Sequence, residues 1–225
     1  MKKIENEFDL ITGLMDVNGK TVVDVGCGVG HLVRCLTEKN ATVTGIDKEI
    51  MLEKAKAEEP AGNETYIEGG AEHLPMNDNS VDLVIFFASL HHVPAEEMKT
   101  ALGETYRVLK PNGKAFFLEP VGVEGSYFQL IRLVDDERPV QLLAKKVIDQ
   151  APGMGFKPIK EEMFYMERSL EDYGKILDMF VPDEEKREEY RAQAKEITEQ
   201  LCKETGTTIE DYLYRSIARV NIFEK

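Results

Sequence analysis

Apolar residues recur along this chain with two different periods. Residues 22–25, 41–46, 81–87 and 115–120 are short, mainly apolar or β-branched runs bounded by turn residues, the pattern of strands buried on both faces. Between them, apolar positions fall three and four apart, at Leu32, Val33 and Leu36 and again at Met98, Leu102, Tyr106 and Leu109, which predicts helices. Pro94 suits the first turn of the second of these, and residues 109–114 read as a turn. Strands alternating with helices in this way predict an α/β fold. Phe8, Ile11, Leu14 and Met15 give an amphipathic helix near the N-terminus. Residues 122–150 predict one or two helices, interrupted near 135–139 because Pro139 disfavours an unbroken one.

The second half continues less regularly. Residues 151–156 form a Pro/Gly turn cluster, followed by a sixth strand around 161–167. Ser169-Leu170-Glu171-Asp172 resembles a capping box, and Leu170, Tyr173, Leu177 and Phe180 then share one helical face. Pro182-Asp183 restarts a second helix striped by Tyr190, Ala194, Ile197 and Leu201, whose charged first turns are a solvated face. Residues 214–223 read as a seventh strand, with a helical start at Thr208 as the competing local reading.

Charge and composition narrow the partners. The chain has 225 residues, enough for one α/β domain with a sizeable core, and no compositional break demands two. Its 42 acidic residues against 28 basic ones give a net charge of −14. That balance repels polyphosphate backbones and anionic bilayers, so neither nucleic acid nor membrane is expected as a partner. A small neutral or cationic substrate is unaffected. Cys27, Cys35 and Cys202 make neither a metal-ligand spacing nor a disulfide framework, and no metal is expected from them. No signal-peptide core and no long apolar stretch is present, so a cytoplasmic location is expected. The oligomeric state is left open.

The first apolar run breaks into Asp24-Val25-Gly26-Cys27-Gly28-Val29-Gly30 and then enters a helix. Such a loop brings bare backbone N–H groups and a helix N-terminus to one point, where a nucleoside with an anionic group can approach the main chain. Its spacing is not that of a dinucleotide fingerprint, whose third glycine would fall at His31. The second strand ends in Asp47, placed to accept hydrogen bonds from ribose hydroxyls, to cap the helix beginning at Lys48, or to do both. The Asp-x-Gly-x-Gly-x-Gly loop resembles motif I of the class I S-adenosylmethionine (SAM) dependent methyltransferases. Glu68-Gly69-Gly70-Ala71-Glu72-His73-Leu74-Pro75 resembles that family's third-strand loop, Leu90-His91-His92 its segment after strand four, and Leu109-Lys110-Pro111 with Glu119-Pro120 its later elements. Together these segments resemble the ubiquinone/menaquinone-biosynthesis type of the family, methyltransferase type 11.

The resemblance implies a Rossmann-like, seven-stranded, mostly parallel sheet with helices on both faces and the last strand antiparallel. Residues 1–225 are then one domain, with a SAM-binding half at 1–121 and helical cap insertions at about 122–150 and 169–205. It implies SAM as cofactor, held by Asp24, Gly26, Cys27, Gly28, Gly30, Asp47, Lys48, Ala71, Glu72 and Phe87, and methyl transfer to a small-molecule acceptor by in-line displacement. In the family the N-terminal helix often lies over the cofactor; an ordinary packed helix is the other reading. The family's usual adenine-binding aspartate is Gly70 here, so the adenine amine needs another acceptor, Glu72 or a backbone carbonyl. A proton-bearing acceptor also needs a general base, for which His91 and His92 are the candidates because imidazole titrates near neutrality. Glu119, Tyr127, Tyr173 and Tyr212 are reserves for the acceptor wall, with Phe128 and Phe180 as apolar lining. The alternatives are a SAM-binding protein without transfer activity or acting on a modified cofactor, and, further off, a nicotinamide-dependent oxidoreductase.

Overall fold

The computed structural model describes residues 1–225. The predicted strands all form, at Thr21–Val25 (β2), Thr42–Asp47 (β3), Thr65–Glu68 (β4), Val81–Phe87 (β5), Leu109–Pro120 (β6), Lys157–Arg168 (β7) and Tyr214–Glu224 (β8). An eighth, β1, is two residues long, Lys2–Lys3, and pairs parallel with β7 at the sheet edge. Seven strands thus become eight, because two exposed lysines carry no apolar signature and are recruited by backbone pairing and by ion pairs to Glu162 and Glu167 of β7. The sheet order is β1-β7-β8-β6-β5-β2-β3-β4, with β8 alone antiparallel to its neighbours β6 and β7. The turn expected at 109–114 lies inside β6 as a bulge, where pairing steps from Val81↔Leu109 to Leu83↔Lys114.

Alternation along the strands divides the core in two. Val23, Val25, Val84, Phe86, Ala115 and Phe117 face one side, with Phe86 stacked on Phe117 at 5.1 Å between ring centroids. Helices Met98–Val108 (α4) and Arg138–Ile148 (α6) cover that side. Pro94 lies ahead of α4, its carbonyl accepting the N–H groups of Glu97 and Met98, so the helix starts one turn later than expected. Val22, Leu83, Ile85, Phe116 and Leu118 face the other side, under Glu7–Leu14 (α1), His31–Glu38 (α2) and Glu49–Ala57 (α3).

Residues 122–150 split as the proline predicts, into Phe128–Val134 (α5) and α6, with Pro139 in the first turn of α6. The two helices have different neighbours, which corrects the expectation that the whole segment is cap. The Ala144, Val147 and Ile148 stripe of α6 packs on the sheet, so α6 is the crossover helix between β6 and β7. Helix α5 instead joins Leu170–Phe180 (α7) and Glu184–Thr205 (α8) in a third cluster. Tyr127, Leu130, Tyr173, Leu177, Val181, Ala194 and Tyr214 are its buried residues. The capping box forms, with Ser169 and Asp172 each bonding the other's backbone N–H. Residues 208–213 form a turn in place of the competing helix, and the chain passes directly into β8.

Candidate cofactor and acceptor site

Strand order reverses between β2 and β5, and ligands of open α/β sheets bind outside the strand ends at such a point. Here the loop after β2 meets the segment after β5. Gly26, Gly28 and Gly30 all take positive φ, +74°, +55° and +78°. A Cβ at Gly26 would stand 2.6 Å from Ser89 Cβ, and one at Gly30 would run into the Tyr66 hydroxyl. Around Gly28 the nearest atom is Met51 Cε at 3.9 Å, so the main chain there faces open space. Ser89 ties the two segments together, its Oγ donating to the Val25 carbonyl at 2.6 Å. Ala88 before it holds φ +50°, an uncommon conformation for a side-chain-bearing residue and one that recurs at functional turns.

Two carboxylates face this loop. Asp47 Oδ2 accepts the Gly28 N–H at 2.7 Å, and Oδ1 accepts the Lys48 N–H at 2.7 Å. Asp47 therefore does not cap α3, whose N-cap, Lys48, makes no side-chain cap bond. Each Asp47 oxygen keeps a lone pair free for a hydroxyl donor. Asp24 is 1% exposed, and its Oδ1 has no hydrogen-bond partner. Burial, reinforced by the charge of Asp47, pushes its carboxyl up to about 7. A buried oxygen with no donor is costly, and a cationic amine laid against the glycine loop would satisfy it.

In the third-strand loop, Glu72 stands against Gly70. The Glu72 carboxylate lies where a Cβ at position 70 would stand, so it occupies the space that an aspartate there would take. Glycine at 70 makes room for a carboxylate arriving from two residues on. Ala71 turns its methyl into the core and leaves only backbone to a ligand. Cys27 is also buried, against Gly45, and desolvation raises its thiol far above the usual range, so it is not a nucleophile. Phe87, at the end of β5, is half-buried and stacked on Phe8 of α1 at 5.4 Å. The N-terminal helix is thus both packed, through Ile11, and set against the sheet edge, through Phe8.

His91 and His92 occupy a short 3₁₀ turn, Leu90–His92. His91 is buried with Nδ1 2.5 Å from Glu119 Oε2, while Glu119 Oε1 accepts the Leu90 N–H at 2.9 Å. Burial opposes charge on His91, but the hydrogen bond and charge of Glu119, helped by Glu137, outweigh it and raise its pKa. Of the reserve residues, Glu119 serves this histidine, and Tyr127 and Tyr173 lie inside the third cluster. Tyr212 packs at that cluster's margin and Phe128 is buried. Phe180, expected to line a pocket, is 64% exposed because it ends α7 on the outer face. Sequence reasoning missed Ser89, Tyr66 and Met51, which approach the glycines from other segments; no local signal announces them.

A family profile described as "Methyltransferase domain" matches residues 23–117, which span the glycine loop, Asp47, Glu72 and the two histidines. Over these residues the chain is similar to methyltransferase domains. The chain is 33% identical over 138 residues to malonyl-[acyl-carrier protein] O-methyltransferase of Pectobacterium atrosepticum, covering 60% of this chain and 53% of the relative. It is 36% identical over 111 residues to demethylmenaquinone methyltransferase of Lactococcus lactis, covering 46% and 43%. The chain therefore spans about half the length of these curated relatives. A crystal structure of a methyltransferase-like protein from Bacillus halodurans shares the fold of this chain, with a TM-score of 0.68 and 21% identity over 97% of this chain and 98% of that one. No helix of the chain is long and apolar enough to cross a membrane.

Proposed function

We propose that this protein is a methyltransferase that moves the methyl group of SAM to a small-molecule acceptor. The observation that carries the reading is the convergence, at the point of strand reversal, of an open glycine main chain with an unpartnered buried carboxylate, a cradle suited to a cationic nucleoside. SAM, when bound, supplies a methyl carbon on a sulfonium, which a nucleophile displaces in line as a neutral thioether leaves. The chain's part is to hold and orient. Asp24 takes the cationic amine, and the backbone of Gly26, Cys27, Gly28 and Gly30 admits the tail. Asp47 accepts the ribose hydroxyls, each charge-assisted bond contributing about 1.5–3 kcal/mol, with Lys48 N–H keeping its carboxylate aligned. Glu72 accepts the adenine amine in place of the family's aspartate, beside the Ala71 backbone, and Phe87 with Phe8 excludes water.

The acceptor is left to the helices. The named acceptors of the two curated relatives differ, whereas the glycine loop and both carboxylates are committed to the cofactor. Helices α5, α7 and α8 follow the cofactor segments in the chain and close on a separate apolar cluster, the residue type that small-ligand pockets use. The acidic balance of the chain, −14, disfavours a polyphosphate substrate. The test is incubation with methyl-labelled SAM and a cell extract divided into small-molecule and macromolecular fractions. Label is expected in the small-molecule fraction, with S-adenosylhomocysteine formed in step. Label confined to macromolecules, or no label despite a SAM-induced rise in melting temperature, overturns the reading.

A further inference from the structure

The segment after β5 places His91, His92 and Glu137 together, each able to offer one ligand atom, with these atoms all within 4.8 Å of one another. Two are adjacent in sequence; the third comes from the break between α5 and α6. His91 Nε2 lies 3.8 Å from Glu137 Oε2, and the two imidazole rings lie 4.0 Å apart between centroids. We propose that His91, His92 and Glu137 bind a divalent transition-metal ion of the zinc type.

The surroundings of the three side chains favour this reading over a simple ion pair. Metal-ligating histidines characteristically donate their second ring N–H to a carboxylate, which fixes the tautomer and strengthens the ligating nitrogen. Glu119 does this for His91 at Nδ1, from a carboxylate 1% exposed and anchored in turn by the Leu90 N–H. With Nδ1 engaged by Glu119, Nε2, on the Glu137 side, is the ring nitrogen left to face an ion. Glu137 is oriented in the same fashion. Its Oε2 accepts from Gln141 Nε2 at 3.1 Å, and buried Gln141 is itself held through Oε1 by the Gly122 N–H at 2.8 Å. Two of the three ligands are thus set by buried partners, and His92, exposed and without a ring hydrogen bond, supplies the adjustable third.

Two imidazoles and one carboxylate are a donor set suited to zinc and its first-row neighbours, and three protein ligands leave a position open. Ligand atoms on a tetrahedral ion with bonds near 2.1 Å stand about 3.4 Å apart, so closure requires small rotations of His92 and Glu137 and no rearrangement of the sheet. The site lies past the C-terminal end of β5, on the same edge as the glycine loop. A hydroxyl or water at the open position would be acidified by the ion, so an imidazole base is then not required for a proton-bearing acceptor.

The test is titration of the metal-stripped full chain with Zn²⁺ by calorimetry, and with Co²⁺ by visible absorption. One ion per chain with micromolar or tighter affinity is expected, with a Co²⁺ ligand-field band that reports imidazole coordination. His92→Ala and Glu137→Gln should each weaken binding at least tenfold, and Glu119→Gln should weaken it by a smaller factor. The rise in melting temperature with SAM checks that each variant is folded. Absence of a saturable one-to-one site, or equal affinity in the wild type and in folded His92→Ala and Glu137→Gln, overturns the proposal. Either result leaves the cofactor reading intact.

Discussion

Burial raises the carboxyl of Asp24 to about 7, and the charge of Asp47 adds to the rise. An unfolded chain ionises the same group near about 3.9, so from about pH 4 to 7 the folded protein holds the extra proton. Stability contributed by Asp24 is therefore highest at the acid end of that window, falls as pH rises through it, and is level above. A cation bound against Asp24 favours its ionised form, so SAM binding near about pH 6 should release up to about one proton. Calorimetry in buffers of different ionisation enthalpy measures that release, and Asp24→Asn should abolish it. Buffer-independent heats in the wild type would remove Asp24 from contact with the cofactor's charge. At this scale the sequence supplied the residues but not their states. Asp47 was legible from its place at a strand tip, whereas its double bond to Gly28 and Lys48 depends on how the loop closes. Glu72 could be named only as one possibility, because its approach to Gly70 depends on how the loop folds back.

The glycine loop is an element whose three glycines look equivalent in sequence and differ in the fold. Alanine at Gly30 meets Tyr66 and, at 2.9 Å, Arg34 Nη1, in addition to an unfavourable φ. Alanine at Gly28 carries the φ penalty alone, since nothing closer than Met51 surrounds it. Gly30→Ala should thus lower the stability of the cofactor-free protein by more than the roughly 1–3 kcal/mol of backbone strain, and Gly28→Ala by about that strain. Denaturant unfolding with and without SAM separates them: Gly28→Ala should lose relatively more of the stabilisation by SAM, and the reverse order would misplace the open face of the loop. Helices repeat the lesson. The period gave α6 correctly, but period alone does not say whether a stripe meets the sheet or another helix. Within the third cluster, the Tyr127 and Tyr173 hydroxyls are buried without partners. An unsatisfied buried hydroxyl costs about 1–3 kcal/mol, so Tyr173→Phe should raise the melting temperature. A lowered one would show that the hydroxyl is bonded in solution.

The molecule as a whole is a sheet with two large cores and a third, smaller one. The two faces hold 22 and 18 buried residues, against seven in the cluster of α5, α7 and α8. The strong strand patterns made the sheet legible, and each motif sits at a strand end because glycine, aspartate and histidine there interrupt apolar runs. The third cluster was less legible, since α8 is largely charged and buries only small residues, Ala194, Thr198 and Cys202. Thr198 and Tyr214 hydroxyls meet there at 2.6 Å, a bond that only the folded chain brings together. A core of only seven buried residues should open at lower free energy than the sheet that supports it. Amide hydrogen exchange should then show α7 and α8 exchanging together, ahead of β2, β5 and β6. Leu177→Ala tests the coupling: truncating a fully buried leucine costs about 2–5 kcal/mol, enough to open the cluster while the two sheet cores persist. Protection should vanish across α5, α7 and α8 in that variant, while β5 stays protected and SAM still raises the melting temperature. Loss of protection spread evenly through the sheet would mean that the three cores fold as one, and that the helices cannot admit an acceptor by opening alone.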